Sequence, residues 1–261
     1  MNHVTSFRRV VVAGVFAIAA FAIACSSSAQ TSSWSNVTTN LASYAVAPPN
    51  QQREWHFWSG SSLNVSTYQY VAQGSYSFGL LSLSTSTNIA GQGVQIGVSV
   101  GSTGVLNLAS GSRLISSSYC YVGSSGYGFL AATNSFIDLG SSMDVAAGSS
   151  SYGLLYLDNS VCSQYLGGFQ TSYGYSSTSR VLVANGSKLI VNGEAYVGRR
   201  GLGVIDVSNA LFQLNSKFWA SYESGGRTVV NLHSATQTVA AELNLPGSSG
   251  GSADVTVNAM S

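Results

Sequence analysis

Charge is what this sequence has least of. Only 7% of its 261 residues are Asp, Glu, Lys or Arg, and ten basic residues oppose nine acidic ones. An ordinary soluble domain carries about a quarter charged residues. Without a basic excess nothing neutralises a phosphate backbone, so nucleic acid is excluded as a partner. Proline is nearly absent, at 3 residues. With no glycine at every third position either, a collagen helix is excluded. Disorder needs low hydrophobicity beside high charge or high proline, and here hydrophobic residues make up 45%. Histidine is limited to His3, His56 and His233. These are too scattered for a histidine-based triad or a zinc site, so no metal or other cofactor is implied. What is abundant is small: 29 Gly and 48 Ser. Small residues with few charges suggest many short strands and tight turns.

The one long apolar run is N-terminal. Arg8 and Arg9 precede Val10 to Ala24, an unbroken apolar or small stretch. It is shorter than the ~20 residues a spanning helix needs and suits the core of an export signal. Residues 1–29 are therefore set apart as a signal peptide. Two cleavage readings stay open. Ser27-Ser28-Ala29 offers small residues before a cut at Gln30, while Ala22-Ile23-Ala24-Cys25 resembles a lipobox that would leave Cys25 as a lipid anchor. Both take the chain out of the cytoplasm, to the cell surface or beyond it. No second apolar run follows, so no transmembrane helix is expected.

The rest of the chain is periodic. A small residue, any residue and an aliphatic–any–aliphatic triplet recur from Gly79-Leu80-Leu81-Ser82-Leu83 to Thr228-Val229-Val230-Asn231-Leu232. A last copy is read with Ala253 in the small slot. The anchors fall at 79, 104, 128, 153, 179, 203, 228 and 253, about 25 residues apart. A second landmark, an apolar residue before glycine, keeps the same step at Ile96-Gly97, Val122-Gly123, Ala147-Gly148, Tyr173-Gly174 and Val197-Gly198. A third apolar pair, such as Leu114-Ile115 or Leu189-Ile190, lies between them. Each unit thus reads as three short strands joined by three turns. Alternating triplets put two side chains on one face of a strand, and one unit alone has no partner layer for them. Stacking units about 4.8 Å apart supplies it.

The expected fold is all-β: a single-stranded right-handed parallel β-helix, or β-solenoid, of about eight coils over residues 53–261. A propeller blade needs some 40 residues or more, and no helical period is present. Residues 30–52, polar and ending in Pro48-Pro49, are assigned as an N-terminal cap or lead-in. The chain stops at Ser261 early in a new unit, so a longer protein is the expectation at that end.

Two stretches carry a family likeness. Val181-Leu182-Val183-Ala184-Asn185-Gly186-Ser187-Lys188-Leu189 and Tyr196-Val197-Gly198 followed by Gly203-Val204-Ile205-Asp206-Val207-Ser208-Asn209 resemble the repeats of bacterial autotransporter passengers and of the PEP-CTERM-associated type. The resemblance covers roughly residues 53–261. It implies a β-helix with an exported, surface-associated, structural or adhesive role, and not a reaction. Neither a C-terminal barrel nor a sorting tail accompanies it in this sequence.

Chemistry is sparse. Measured from the repeat anchors, no two adjacent units place acids at one offset, so no catalytic residue is assigned. Arg199-Arg200 with Glu223 and Arg227 form the one charge cluster, read as surface salt bridges or as an acidic-sugar contact. Cys120 falls in an inward slot beside Val94 and Val145 and reads as a small hydrophobe. Cys162 does not stack on it, so no disulfide is expected. Aromatics are the remaining candidates. Tyr121, Tyr196 and Trp219 precede the inward slot of the third strand and should point outward, with Gln95 and Ala146 interrupting their row. Tyr156 should point outward from the first strand. Exposed rings on a flat sheet suit stacking against sugars. The first-strand outer column, from Ser82 and Asn107 to Asn231 and Thr256, is no regular threonine ladder, which argues against ice binding. Two readings remain: an exported structural or adhesive β-helix, and a carbohydrate-binding or polysaccharide-degrading one whose partner is an extracellular polysaccharide or cell-surface component.

Overall fold

A computed structural model of the chain describes residues 30–42, 44–47, 50–239, 243–244 and 254–260. The leader, its cleavage sites and Cys25 lie outside the described residues. Those described are all-β, and every strand pairs in parallel. Three sheets run the length of the molecule, with ten, nine and nine strands. In each sheet the neighbour of a strand is the third strand on in sequence, which is the signature of a three-sided solenoid. One coil contributes a strand to each sheet, as Thr103–Ala109 does to sheet A, Arg113–Ser116 to sheet B and Tyr119–Val122 to sheet C.

Eight coils of about 25 residues are expected from residue 53 onward, and they are present. A further coil lies before them. Gln30–Ser35, Thr38–Leu41 and Tyr44–Ala45 pair in register with the strands of the next coil. The segment assigned as a cap is therefore itself the first coil. It lacks the small-residue anchor, and aromatic rings pack in its interior. Trp34 stacks on Phe57 at 4.8 Å, and Tyr44 meets Trp55 at 4.2 Å. The last strand also departs from expectation: Val255, not Ala253, pairs with Thr228, and Asn258, not Thr256, pairs with Asn231.

The core is a set of columns along the axis. On sheet A, Leu81, Leu106, Leu130, Leu155, Val181, Ile205 and Val230 follow one another in register and are buried. Burial of one such aliphatic side chain stabilises by about 1.5–3 kcal/mol. Cys120 and Cys162 are free, fully buried members of columns on sheets C and B. Cys120 sits between Val94 and Met143 rather than beside Val145. Burial pushes its thiol up to about 12, so it stays protonated and inert.

The corners explain the glycine and serine content. Gly79, Gly104, Gly128, Gly153 and Gly203 share one inward slot at the start of sheet A. A Cβ at Gly79 would stand 2.7 Å from the Ala72 amide nitrogen, so the backbone leaves no room for one. Buried serines occupy the corner between sheets A and B. Ser160 Oγ accepts from the Ser135 amide at 3.0 Å and donates to the Asp158 carbonyl at 2.8 Å. Ser187 Oγ accepts from the Ser160 amide in the same way. Each serine thus satisfies turn groups that no strand ladder reaches.

Candidate functional site

The outer face of sheet C gathers the unusual side chains. Strand register sets Tyr70, Gln95, Tyr121, Asp144, Gln170, Tyr196 and Trp219 in one column. Each belongs to a different coil, so the column spans about 29 Å along the axis at the usual strand spacing. Tyr121, Tyr196 and Trp219 are thus on the outer face where the sequence reading puts them. The interruption is different. Ala146 is not in the row; it sits in the turn beyond it, buried, at φ 63°. Asp144 and Gln170 occupy the row instead.

Tyr156 does not join this face. It points outward from sheet A but is only 8% exposed. Leu154 and Leu182 flank it in a separate apolar cluster, with Phe129 and Tyr152 packed against it. Its hydroxyl bonds Asp158 at 3.2 Å. Bulky neighbours on adjacent coils cover the ring, so no open stacking surface is left.

Two aromatic platforms bracket the column. Toward the N-terminal end, Tyr119 and Tyr121 stack at 4.3 Å, and Tyr68 lies 6.0 Å from Tyr119. Gly93, between Tyr68 and Tyr119 in register, makes this possible, because a Cβ there would come within 2.8 Å of the Tyr119 ring. Gln95 donates to the Tyr119 hydroxyl at 2.9 Å. Toward the other end, Tyr196 and Trp219 are 6.2 Å apart and nearly coplanar in orientation, at 6°. Tyr222 meets both edge-on, at 5.3 and 5.2 Å. Glu194 fixes this pair: the Tyr196 hydroxyl and the Trp219 indole N–H both donate to its Oε2. Burial, reinforced by that hydrogen bond, raises the Tyr196 hydroxyl to about 12.

Polar groups fill the centre. Arg199 spans the Tyr173 ring at 4.6 Å and donates to Gln170 Oε1 at 2.9 Å. Arg199 and Arg200 both donate to Glu223. Desolvation alone would raise the Glu223 carboxyl, but the bonds from Arg200 and Arg199 outweigh it and hold it low. Both guanidiniums therefore serve one carboxylate. Asp144 is the exception. It is 8% exposed, and its Oδ1 has no hydrogen-bond partner. Burial raises its carboxyl to about 7, against an opposing pull from Arg199. A buried acceptor left unpaired costs about 1–3 kcal/mol.

Two of the remaining described acids form ion pairs with arginine, one exposed at Asp138 and one at the buried Asp206. Arg113 meets Asp138 at 2.7 Å and Arg180 meets Asp206 at 3.0 Å. Among the described residues no three His, Cys, Asp or Glu side chains converge as a metal site, and no helix is long and apolar enough to cross a membrane. No protein-family model, curated protein or solved structure matches the chain.

Proposed function

We propose that the protein is an exported, surface-associated adhesion scaffold that holds a carbohydrate on the outer face of sheet C. The observation that carries this reading is the column itself. Stacking rings alternate with hydrogen-bonding side chains on one flat face, and an unpaired buried carboxylate oxygen lies at its centre. Sugar rings present an apolar face and a rim of hydroxyls. They match a surface on which flat aromatics cover the face and Gln, Asp and Glu take the hydroxyls. Support for export is the N-terminal Arg8-Arg9 and apolar run. Support for a surface role is the resemblance of the repeats to passenger domains. An extracellular polysaccharide or cell-surface glycan is the partner class this implies, with Cys25 as the point of lipid attachment under the lipobox reading.

A glycan array with the soluble protein tests this. Binding is expected, and Tyr196→Ala with Trp219→Ala should abolish it while leaving the circular dichroism unchanged. An array with no binding refutes the reading. A second reading, polysaccharide cleavage, is favoured by one observation: an Asp144 carboxyl near neutrality is poised as a general acid. Its nearest acidic companion on the face, Glu194, is two coils away and committed to Tyr196 and Trp219. Release of new reducing ends from a bound polymer, lost in Asp144→Asn, would establish cleavage over adhesion.

A further inference from the structure

We infer that the ligand is an uncharged, extended polysaccharide that lies along the solenoid axis, one sugar per coil, with Asp144 anchoring its central hydroxyls. This rests on the carbohydrate reading above and goes on to name the class of glycan and its direction.

The direction follows from the period. Successive column residues are about 4.8 Å apart, close to the advance per sugar of a flat, extended chain. A chain laid along the axis would therefore meet an equivalent position on every coil. A chain laid across the sheet would meet one coil only, and there the strands of sheet C are two to four residues long. The platforms support the same direction. Tyr121 and Tyr196 stand three coils apart, with Asp144 and Gln170 between them. Rings at both ends and amides or carboxylate in the middle suit a chain gripped at its ends by stacking and in its centre by hydroxyl contacts. A helical or branched glycan would leave that straight column after a few sugars.

The absence of charge on the ligand follows from the pairing. Recognition of an acidic sugar needs an available guanidinium or ammonium. Arg199 and Arg200 are both bound to Glu223, Arg199 also to Gln170, and the Lys217 ammonium is engaged over the Trp219 ring at 5.8 Å. The column itself presents Asp144, with Glu194 beside it, so a sugar carboxylate at those coils would face like charge and a buried acceptor. Sugar hydroxyls can donate to the Asp144 carboxylate at its exposed edge; its Oδ1 is buried and has no donor among the described residues.

The test is isothermal titration of the soluble protein with cello-oligosaccharides and chito-oligosaccharides of two to nine sugars, with oligogalacturonides of matched length as the acidic series. Affinity should rise with each added sugar, level off at about seven, the number of column positions from Tyr70 to Trp219, and be at least tenfold weaker for the acidic series. Tyr70→Ala, at the far end from Trp219, should shorten the length at which affinity levels off. Affinity that saturates at two or three sugars, or a Tyr70→Ala variant that binds the longest oligomer unchanged, overturns the axial arrangement and leaves carbohydrate binding standing. Preference for the acidic series overturns the uncharged ligand. No binding to any oligomer, together with an empty glycan array, overturns this inference along with the reading beneath it.

Discussion

Replacing Asp144 by Asn should make the protein more stable, and by an amount that depends on pH. The Asp144 carboxyl sits at about 7 in the folded chain against an ordinary 3.8, because the ring-lined face of sheet C excludes water from it. One pKa unit corresponds to about 1.4 kcal/mol between the two protonation states. Ionised Asp144 therefore costs the fold on the order of 4 kcal/mol. The direction is set by linkage. Below the ordinary carboxylate value both folded and unfolded chains hold the proton, and nothing is lost. Between about 4 and 7 the folded chain binds more protons than the unfolded one, so stability falls as pH rises. Above about 7 the full penalty is present. Asn is neutral throughout and close in shape to the protonated acid, so it escapes the penalty.

The expected outcome for Asp144→Asn is a melting temperature close to the parent's at pH 3.5. At pH 8 it should be raised on the order of 10 °C, since each kcal/mol is worth about 2–4 °C in a chain of this size. Thermal or denaturant unfolding followed by circular dichroism across that range reads it. The same variant should lose glycan affinity, since the amide cannot replace the carboxylate as a double acceptor. A residue whose removal stabilises the fold and weakens binding is retained for function. A destabilised variant at pH 8, or a gain of equal size at pH 3.5 and pH 8, would refute the assignment of Asp144 as a buried, unpaired carboxylate.

Three further changes probe the coil itself. Val197→Asp puts a charge into a fully buried column of sheet C. We expect a loss above about 4 kcal/mol, seen as insoluble expression, while Val197→Ile stays folded. Gly153→Ala adds a Cβ 2.5 Å from the Ala146 amide nitrogen and 2.7 Å from Val145 Cγ1. It should cost about 1–3 kcal/mol through overpacking, and a denaturation midpoint equal to the parent's would contradict the closed corner. Gln164 is fully buried, with both amide atoms unpaired, between Leu139 and Val191. Gln164→Leu should gain about 1–3 kcal/mol by removing them, and a loss in urea unfolding would show that the amide is satisfied after all.

What the sequence makes legible here is a matter of which constraint each residue answers to. The sheet A anchor is readable because two demands coincide there: a corner with no space for a Cβ, and an alternating aliphatic strand directly after it. Where Ser179 and Thr228 replace the glycine, the strand still carries the signal, and their hydroxyls take up hydrogen bonds with Ser172 and Ser221. The turn after sheet C misleads for the opposite reason. It needs a positive φ, which Gly97, Gly123 and Gly198 supply, so a reader looks for glycine in every coil. In four coils that conformation falls to Ala72, Ser221, Ala146 and Ser172, the last two at 63° and 52°. The glycines nearest those two, Gly148 and Gly174, lie two residues further on. Choosing them shifts the register by two, puts Ala146 in the outer row and hides Asp144. A shift of two keeps every side chain on its proper face, so burial alone gives no warning of the error. Tyr156 shows the complementary limit. Alternation correctly gives the side of the sheet, but the cover over its ring comes from Leu154 and Leu182 on its own and the next coil, and the strand pattern carries no information about that. A solenoid face is composed one residue per coil, so its chemistry becomes visible only once the register between coils is known. The candidate site is therefore legible in its rings, which stand one residue before an apolar slot, and illegible in its centre, where the deciding residue is an aspartate in a coil whose landmark glycine is missing.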